Sequence, residues 1–164
     1  MKKTYLFDWG DTLMVDFPGS HGKMFLWETL ECVEGAKSTL STLSQSNTIY
    51  IATGAVDSRE HEIKSAFDRV GLSEYISGYF CHANIGLHKT SAAFYDAISQ
   101  RLQIPKSQIF MVGDTFNKDI CPALTSGINA IWYNPSNLPQ PELELALSKG
   151  QSFSLIHTLY QLCE

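Results

Sequence analysis

The sequence has few of the features that mark secreted, membrane-bound or nucleic-acid-binding proteins. It holds four cysteines in 164 residues, with no CxxC pair, which favours reduced thiols over a disulfide framework. Its net charge is -5 and no basic block exceeds two residues, so it lacks a nucleic-acid or anionic-membrane footprint. The apolar run near the first residue is too short for a signal peptide or a membrane span. We therefore predict a cytoplasmic protein that binds neither nucleic acid nor membrane.

The sequence also lacks internal repeats and low-complexity tracts, and its composition is that of an ordinary globular domain, with 44% hydrophobic and 18% charged residues. A single domain over residues 1–164 is therefore the expectation. Short apolar runs alternate with amphipathic stretches, which predicts an α/β fold with a mostly parallel sheet. We expect a three-layer α/β/α, Rossmann-like arrangement with five strands and no separate cap domain.

The predicted elements follow from these runs and from capping and stop signals. Strands are predicted at 5–7, 48–52, 76–80, 109–112 and 130–133, and helices at 36–45, 57–70, 90–103 and 118–126. The final segment, 142–163, is predicted to form one or two helices that cover the sheet or hold a partner.

Polar side chains follow several of the predicted strands, at the edge where parallel α/β sheets bind ligands. Asp8 and Asp11 follow the first strand, Thr53 follows the second and Asp114 follows the fourth, while Lys89 lies on a loop that enters a helix. Carboxylates, a hydroxyl and an ammonium at one edge suit a divalent cation bound next to a phosphate group.

These residues lie in four segments that together resemble the haloacid dehalogenase-like hydrolases, over roughly residues 4–134. The segments are YLFDWGDTL with Asp8, IYIATG with Thr53, the loop with Lys89, and VGDTFNKD with Asp114 and Asp119. Most members of that family are Mg²⁺-dependent phosphatases. The resemblance therefore implies a phosphatase acting on a small phosphorylated metabolite, with Mg²⁺ as its cofactor.

The resemblance also implies a role for each matching residue. Asp8 would be the nucleophile that forms an aspartyl-phosphate, Thr53 would donate to a phosphoryl oxygen, and Lys89 would stabilise the transferred charge. Mg²⁺ would be held by Asp8, by the backbone carbonyl of Gly10 and by Asp114. Asp119 would reach the metal through water or pair with Lys89. A shift of register by one residue would place His88, rather than Lys89, at the third position.

The first motif departs from the family pattern, in which a second Asp two residues after the nucleophile serves as general acid and base. Here that position is Gly10, and Asp11 stands where the family usually has glycine. Asp11 either takes over the acid/base role, with Gly10 supplying the backbone freedom for it, or only stabilises a turn. Two alternatives follow: a regulatory domain that binds metal and phosphate with little turnover, and a phosphonoacetaldehyde hydrolase-like enzyme that cleaves a C–P bond.

The spacing between the motifs leaves no room for a separate cap domain at either insertion point. Residues 15–31 are predicted to form a loop and one helix near the site in place of a cap. An open site of this kind suggests a large substrate, loose specificity or a second copy of the chain acting as a lid, so a homo-oligomer is one expectation.

Overall fold

The computed structural model describes all residues, 1–164, and is built on a six-stranded, fully parallel sheet. The strands are β1 (Thr4–Phe7), β2 (Thr48–Ala52), β3 (Gly78–Phe80), β4 (Ile109–Gly113), β5 (Asn129–Tyr133) and β6 (Phe153–Ile156). Their order in the sheet is β3-β2-β1-β4-β5-β6. β1 and β4 are therefore neighbours at the centre, in the register Thr4 to Ile109 through Phe7 to Val112.

Helices connect the strands and cover both faces of the sheet. They are α1 (Ala36–Leu43), α2 (Glu60–Arg69), α3 (His82–Ile85), α4 (Ala92–Leu102) and α5 (Cys121–Ser126), with a π-helical turn at Phe116–Ile120 and 3₁₀ turns at Met24–Leu26, Ser73–Tyr75, Lys106–Gln108 and Leu159–Cys163. Because strand side chains alternate between faces, Phe7 packs into one core with α1 and α2, while Leu6 packs into another with α4 and α5. The predicted three-layer α/β/α class is confirmed.

The prediction of five strands and a helical ending is wrong for the last part of the chain. Residues 142–147 contain no helix, and Phe153–Ile156 forms a sixth strand that pairs with β5 before the chain ends in a 3₁₀ turn. Ser154 and Leu155 of this strand are exposed and only Ile156 is buried. An edge strand that is held by backbone hydrogen bonds and buries one side chain leaves little hydrophobic pattern in the sequence.

The segment between β1 and α1 lies beside α2 and contains only the single 3₁₀ turn Met24–Leu26 in place of the predicted helix. Lys23 forms an ion pair of 2.6 Å with Glu62 of α2. Arg69, the last residue of α2, donates hydrogen bonds to the carbonyls of Phe25, Trp27 and Glu28. We call residues 20–28 the wall segment. No helix in the structure is both long and apolar enough to cross a membrane.

Candidate active site

Asp8 lies directly after β1 and is fixed by the backbone of the neighbouring strand, because its N–H donates to the carbonyl of Val112 at 2.9 Å. The chain then turns tightly, with Asp11 in the left-handed region at φ 59°. This turn places the hydroxyl of Thr12 3.1 Å from Asp8 Oδ2 and 3.2 Å from Asp114 Oδ1. Thr12 thus links the ends of β1 and β4.

Lys89 is almost completely buried and lies between two carboxylates. Its Nζ is 2.7 Å from Asp8 Oδ1 and 2.6 Å from Asp119 Oδ1. Burial alone would lower the pKa of Lys89, but the charges of Asp119 and Asp8 raise it above its ordinary value, so the side chain stays an ammonium. Of the two residues predicted for this position, the structure brings Lys89 to Asp8, whereas His88 is exposed and stacks on His82.

Asp119 is held against the end of β4 by the turn that follows this strand. Its Oδ2 accepts a hydrogen bond of 2.9 Å from the N–H of Thr115. A side chain at position 113 would overlap the carboxyl group of Asp119, so glycine is required where β4 ends. Asp119 therefore reaches Lys89 because Gly113 leaves room for it.

The three carboxylates of Asp8, Asp114 and Asp119 form a cluster in which one oxygen of each lies within 4.8 Å of the others. Burial, and then the neighbouring Asp8 carboxylate, raise the pKa of Asp114 to about 8, and burial with the charge of Asp8 raises the pKa of Asp119 to about 6. The site thus places three carboxylates around a single buried ammonium. Carboxylate oxygens at this spacing fit a hard divalent cation such as Mg²⁺.

Thr53 follows β2 and is buried beside the cluster. Its N–H donates to the Phe80 carbonyl at 2.9 Å, and its Oγ1 accepts a hydrogen bond of 3.1 Å from the N–H of Ala55. The hydroxyl hydrogen has no protein acceptor and can donate to an oxygen of a bound group. Asp8, Thr53, Lys89 and Asp119 all line one cleft of about 310 Å³.

The structure does not bring Asp11 to this cleft. Asp11 is exposed and lines a separate cavity together with Asp114, Tyr133 and Asn134. The positive φ in this turn is that of Asp11, since Gly10 is not among the residues with positive φ. The expectation that Gly10 supplies the backbone freedom for the loop is therefore wrong, because the left-handed residue is Asp11.

Gly10 lines the cleft, and its carbonyl accepts no hydrogen bond from the protein, so it is available to a ligand. Three residues of the site are not among those that the sequence predicts. Asp16 and Trp27 line the cleft, and Thr12 lies between Asp8 and Asp114. In the sequence Thr12 is marked only by its place after the two aspartates, Trp27 is typical of a packing residue, and Asp16 has no periodic signal. Burial, with the charges of Asp11 and Asp8, raises the pKa of Asp16.

An open parallel α/β sheet with a carboxylate cluster beyond its central strands belongs to a class of folds that bind their ligands at that edge. A sequence model of the haloacid dehalogenase-like hydrolases matches residues 19–127. The chain belongs to this family of hydrolases, which confirms the resemblance seen in the motifs. The matched range contains Thr53, Lys89, Asp114 and Asp119, and Asp8 precedes it.

Two individual relatives have low sequence identity to this chain. The pyrimidine 5′-nucleotidase YjjG of Escherichia coli K12 is 27% identical over 158 residues, covering 94% of this chain and 67% of that protein. The pyrimidine 5′-nucleotidase PynA of Streptococcus pneumoniae R6 is 27% identical over 118 residues, covering 71% of this chain and 48% of that protein. The chain thus spans about half to two thirds of the length of these relatives.

The fold is shared with solved structures of low sequence identity. An uncharacterized protein from Listeria monocytogenes serotype 4b superposes with a TM-score of 0.84 at 23% identity, covering 98% of this chain and 94% of that one. At this identity the likeness shows that the two chains share their fold.

Proposed function

We propose that this protein is a Mg²⁺-dependent phosphomonoester hydrolase that works through an aspartyl-phosphate on Asp8. The observation that carries the proposal is the environment of Asp8, where a carboxylate at a strand end faces an open cleft beside one buried ammonium and two further carboxylates. A carboxylate is a competent nucleophile toward phosphorus once the charges around the phosphoryl group are neutralised.

The residues fit a metal ion of this kind. Asp8, the carbonyl of Gly10 and Asp114 would hold Mg²⁺, with Asp119 near enough to act through water. When bound, the ion supplies positive charge that neutralises the phosphoryl oxygens. Thr12 keeps the oxygens of Asp8 and Asp114 oriented toward one another through its hydroxyl.

The remaining chemistry belongs to the side chains of the chain itself. An oxygen of Asp8 attacks phosphorus as the bond to the leaving oxygen breaks, and water later cleaves the aspartyl-phosphate and restores the carboxylate. The free hydrogen of the Thr53 hydroxyl donates to a phosphoryl oxygen, and Lys89 stabilises the charge that moves between Asp8 and the phosphoryl group.

The substrate is proposed to be a small phosphorylated metabolite. The names of the two curated relatives make pyrimidine nucleoside 5′-monophosphates the first compounds to assay. Trp27 lines the cleft, and an aromatic side chain there can contact a nucleobase. The four free cysteines agree with a cytoplasmic location, which stays part of the proposal.

The first test compares hydrolysis of p-nitrophenyl phosphate, uridine 5′-monophosphate and ribose 5-phosphate with Mg²⁺ and with excess chelator. We expect turnover only with Mg²⁺, and we expect Asp8→Asn to abolish it, since an amide is no nucleophile toward phosphorus. The folded state of the variant is checked by circular dichroism and thermal unfolding. A preference for the nucleotide over ribose 5-phosphate would show that the base contributes to binding.

The alternative of a regulatory domain with little turnover is favoured by one observation, the missing side chain at Gly10. It predicts that Mg²⁺ and phosphate bind while none of the three esters is hydrolysed above background. That result, with the Asp8→Asn variant indistinguishable from the native protein, would end the phosphatase proposal. Hydrolysis of a phosphonate but of no ester would instead favour the C–P-cleaving alternative.

A further inference from the structure

The space next to Gly10 is filled by a carboxylate from elsewhere in the loop. A Cβ placed on Gly10 would have Asp16 as its nearest neighbour, with the Cβ of Asp16 at 3.5 Å and its Oδ2 at 3.6 Å. A side chain at position 10 would therefore project toward the place that the Asp16 carboxylate occupies.

Asp16, unlike Asp11, lies in the cleft of the nucleophile. It lines the same cleft as Asp8 and Lys89, whereas Asp11 lines the separate cavity next to Tyr133. Asp11 instead contacts the backbone of Asp16, because Asp11 Oδ1 accepts a hydrogen bond of 3.0 Å from the N–H of Asp16. Asp11 is thus a positioning residue, which fixes the backbone that carries Asp16.

The carboxylate of Asp16 has no structural task. It forms no ion pair, since the pairs in the structure involve other acids, and it accepts no hydrogen bond from the protein. An exposed carboxylate at the mouth of a cleft, free of protein partners, can exchange protons with substrate and solvent. Asp16 therefore lies where a side chain at position 10 would project, and its carboxylate is free to transfer protons.

We propose that Asp16 is the general acid and base of this site and takes the place of the carboxylate that the sequence lacks at Gly10. This inference rests on the proposed phosphatase function. In the first step Asp8 Oδ bonds to phosphorus, the bond from phosphorus to the ester oxygen breaks, and the proton of Asp16 goes to that oxygen, which releases an alcohol. In the second step the Asp16 carboxylate takes a proton from water as the water oxygen bonds to phosphorus. The bond between phosphorus and Asp8 breaks, which releases inorganic phosphate.

The experiment compares substrates whose leaving groups differ in their need for a proton. A p-nitrophenolate leaves without protonation, whereas an alkoxide does not. In Asp16→Asn we expect the first step to slow by about 10²- to 10³-fold for an alkyl phosphate such as ribose 5-phosphate and by less than tenfold for p-nitrophenyl phosphate. Because water activation is lost as well, p-nitrophenyl phosphate should give a burst of one nitrophenol per site followed by slow turnover.

Two single variants serve as matched controls. Asp57 lines the same cleft, so Asp57→Asn removes an equal charge, and we expect it to leave the ratio of alkyl to aryl rates unchanged. Asp11→Asn retains the Oδ1 acceptor for the N–H of Asp16 and should also preserve that ratio. Selective loss of alkyl phosphate turnover in Asp11→Asn, with Asp16→Asn behaving like the native protein, would overturn the proposal.

A rescue variant tests the location of the acid. Gly10 has no positive φ, so an aspartate can adopt its backbone conformation. Asp16→Ala removes the neighbouring carboxyl group and leaves the Cβ at 3.5 Å, an ordinary van der Waals contact. We expect Gly10→Asp combined with Asp16→Ala to recover most of the alkyl phosphate rate that Asp16→Ala loses. Failure of the folded double variant to recover any rate would also count against the proposal.

The two proposals fail in different ways. If Asp8→Asn abolishes turnover while Asp16→Asn gives no burst and the native ratio of alkyl to aryl rates, the phosphatase function stands and the assignment of Asp16 is wrong. If the native protein itself hydrolyses no ester with Mg²⁺, the phosphatase function falls first.

Discussion

Lys89 is the only buried cation among the three carboxylates of the site, and it contacts residues from two distant parts of the chain. Its exposed fraction is 3%, and those of its partners Asp8 and Asp119 are 14% and 1%. Taking such a cation away leaves carboxylates in a poorly solvated place without compensation. Lys89 therefore stabilises the folded protein in the absence of metal, in addition to its role in the proposed chemistry.

We expect Lys89→Met to lower the free energy of unfolding by about 3–5 kcal/mol at pH 7.5, measured by urea denaturation in chelator. Lys64→Met is the matched control, since Lys64 pairs with Asp68 at 3.2 Å on the surface of α2, and it should cost less than about 1 kcal/mol. Equal losses in the two variants would mean that the buried ion pairs stabilise the protein no more than the surface pair does.

The sequence predicts the position of some residues of the site much better than others. Asp8, Thr53 and Asp114 each follow an apolar run, and the ends of parallel strands meet at one edge, so their proximity follows from the fold. Asp16 gives no such signal. Its place depends on a tight turn with Asp11 at positive φ, and on one backbone hydrogen bond, neither of which a hydrophobic pattern encodes.

Among the elements, the wall segment has its conformation imposed by α2 rather than by its own helical structure. Its contacts to that helix are the ion pair of Lys23 and the three hydrogen bonds from Arg69 to backbone carbonyls. Met24 and Trp27 of this segment line the cleft. The position of α2 therefore determines the shape of the cleft on that side.

We expect Arg69→Ala to open the wall segment locally, because three carbonyls lose a charged donor. With an opening free energy lower by about 1–2 kcal/mol, chymotrypsin should cut near Phe25 and Trp27 roughly 5- to 30-fold faster. Arg101→Ala, an exposed arginine of α4, is the control and should leave the cleavage rate unchanged. An unaltered rate in Arg69→Ala would show that the remaining contacts hold the segment by themselves.

Strand prediction succeeded where the strand is buried and failed at the edge of the sheet. All five residues of β5 are buried, and its apolar run was visible in the sequence. β6 beside it is held mainly by its backbone, and its exposed Ser154 and Leu155 resemble a loop or a helix face. The sixth strand could therefore be found only from the partner that pairs with it.

At the scale of the whole molecule, the order of strands gathers charge from distant parts of the sequence at one edge. Thr12 and Asp114 are 102 positions apart, and their side chains are 3.2 Å apart. The stability of the folded protein is therefore linked to the protonation of this edge and, under the proposed function, to its occupancy by Mg²⁺.

We expect the metal-free protein to lose stability as pH rises from about 5 to 8. The folded state raises the pKa of Asp119 to about 6 and that of Asp114 to about 8, so it binds more protons than the unfolded chain above about pH 4, and the free energy of unfolding falls as pH rises through that window. Since Mg²⁺ competes with those protons, its affinity should rise over the same range.

Thermal unfolding from pH 5 to 8, with Mg²⁺ and with chelator, measures both effects. Asp114→Asn removes one titrating carboxyl, so its stability in chelator should depend less on pH than that of the native protein. A native protein that is equally stable at pH 5 and pH 8 without metal would contradict this account.

The contacts that hold Lys89 in place also fix the electric field at Asp8. The ammonium is fixed by Asp119, and Asp119 is fixed in turn by the N–H of Thr115. The dipoles and charges around the proposed nucleophile are therefore aligned before a substrate binds, and the proposed reaction needs little reorganisation energy when electrons move onto or off the Asp8 oxygen.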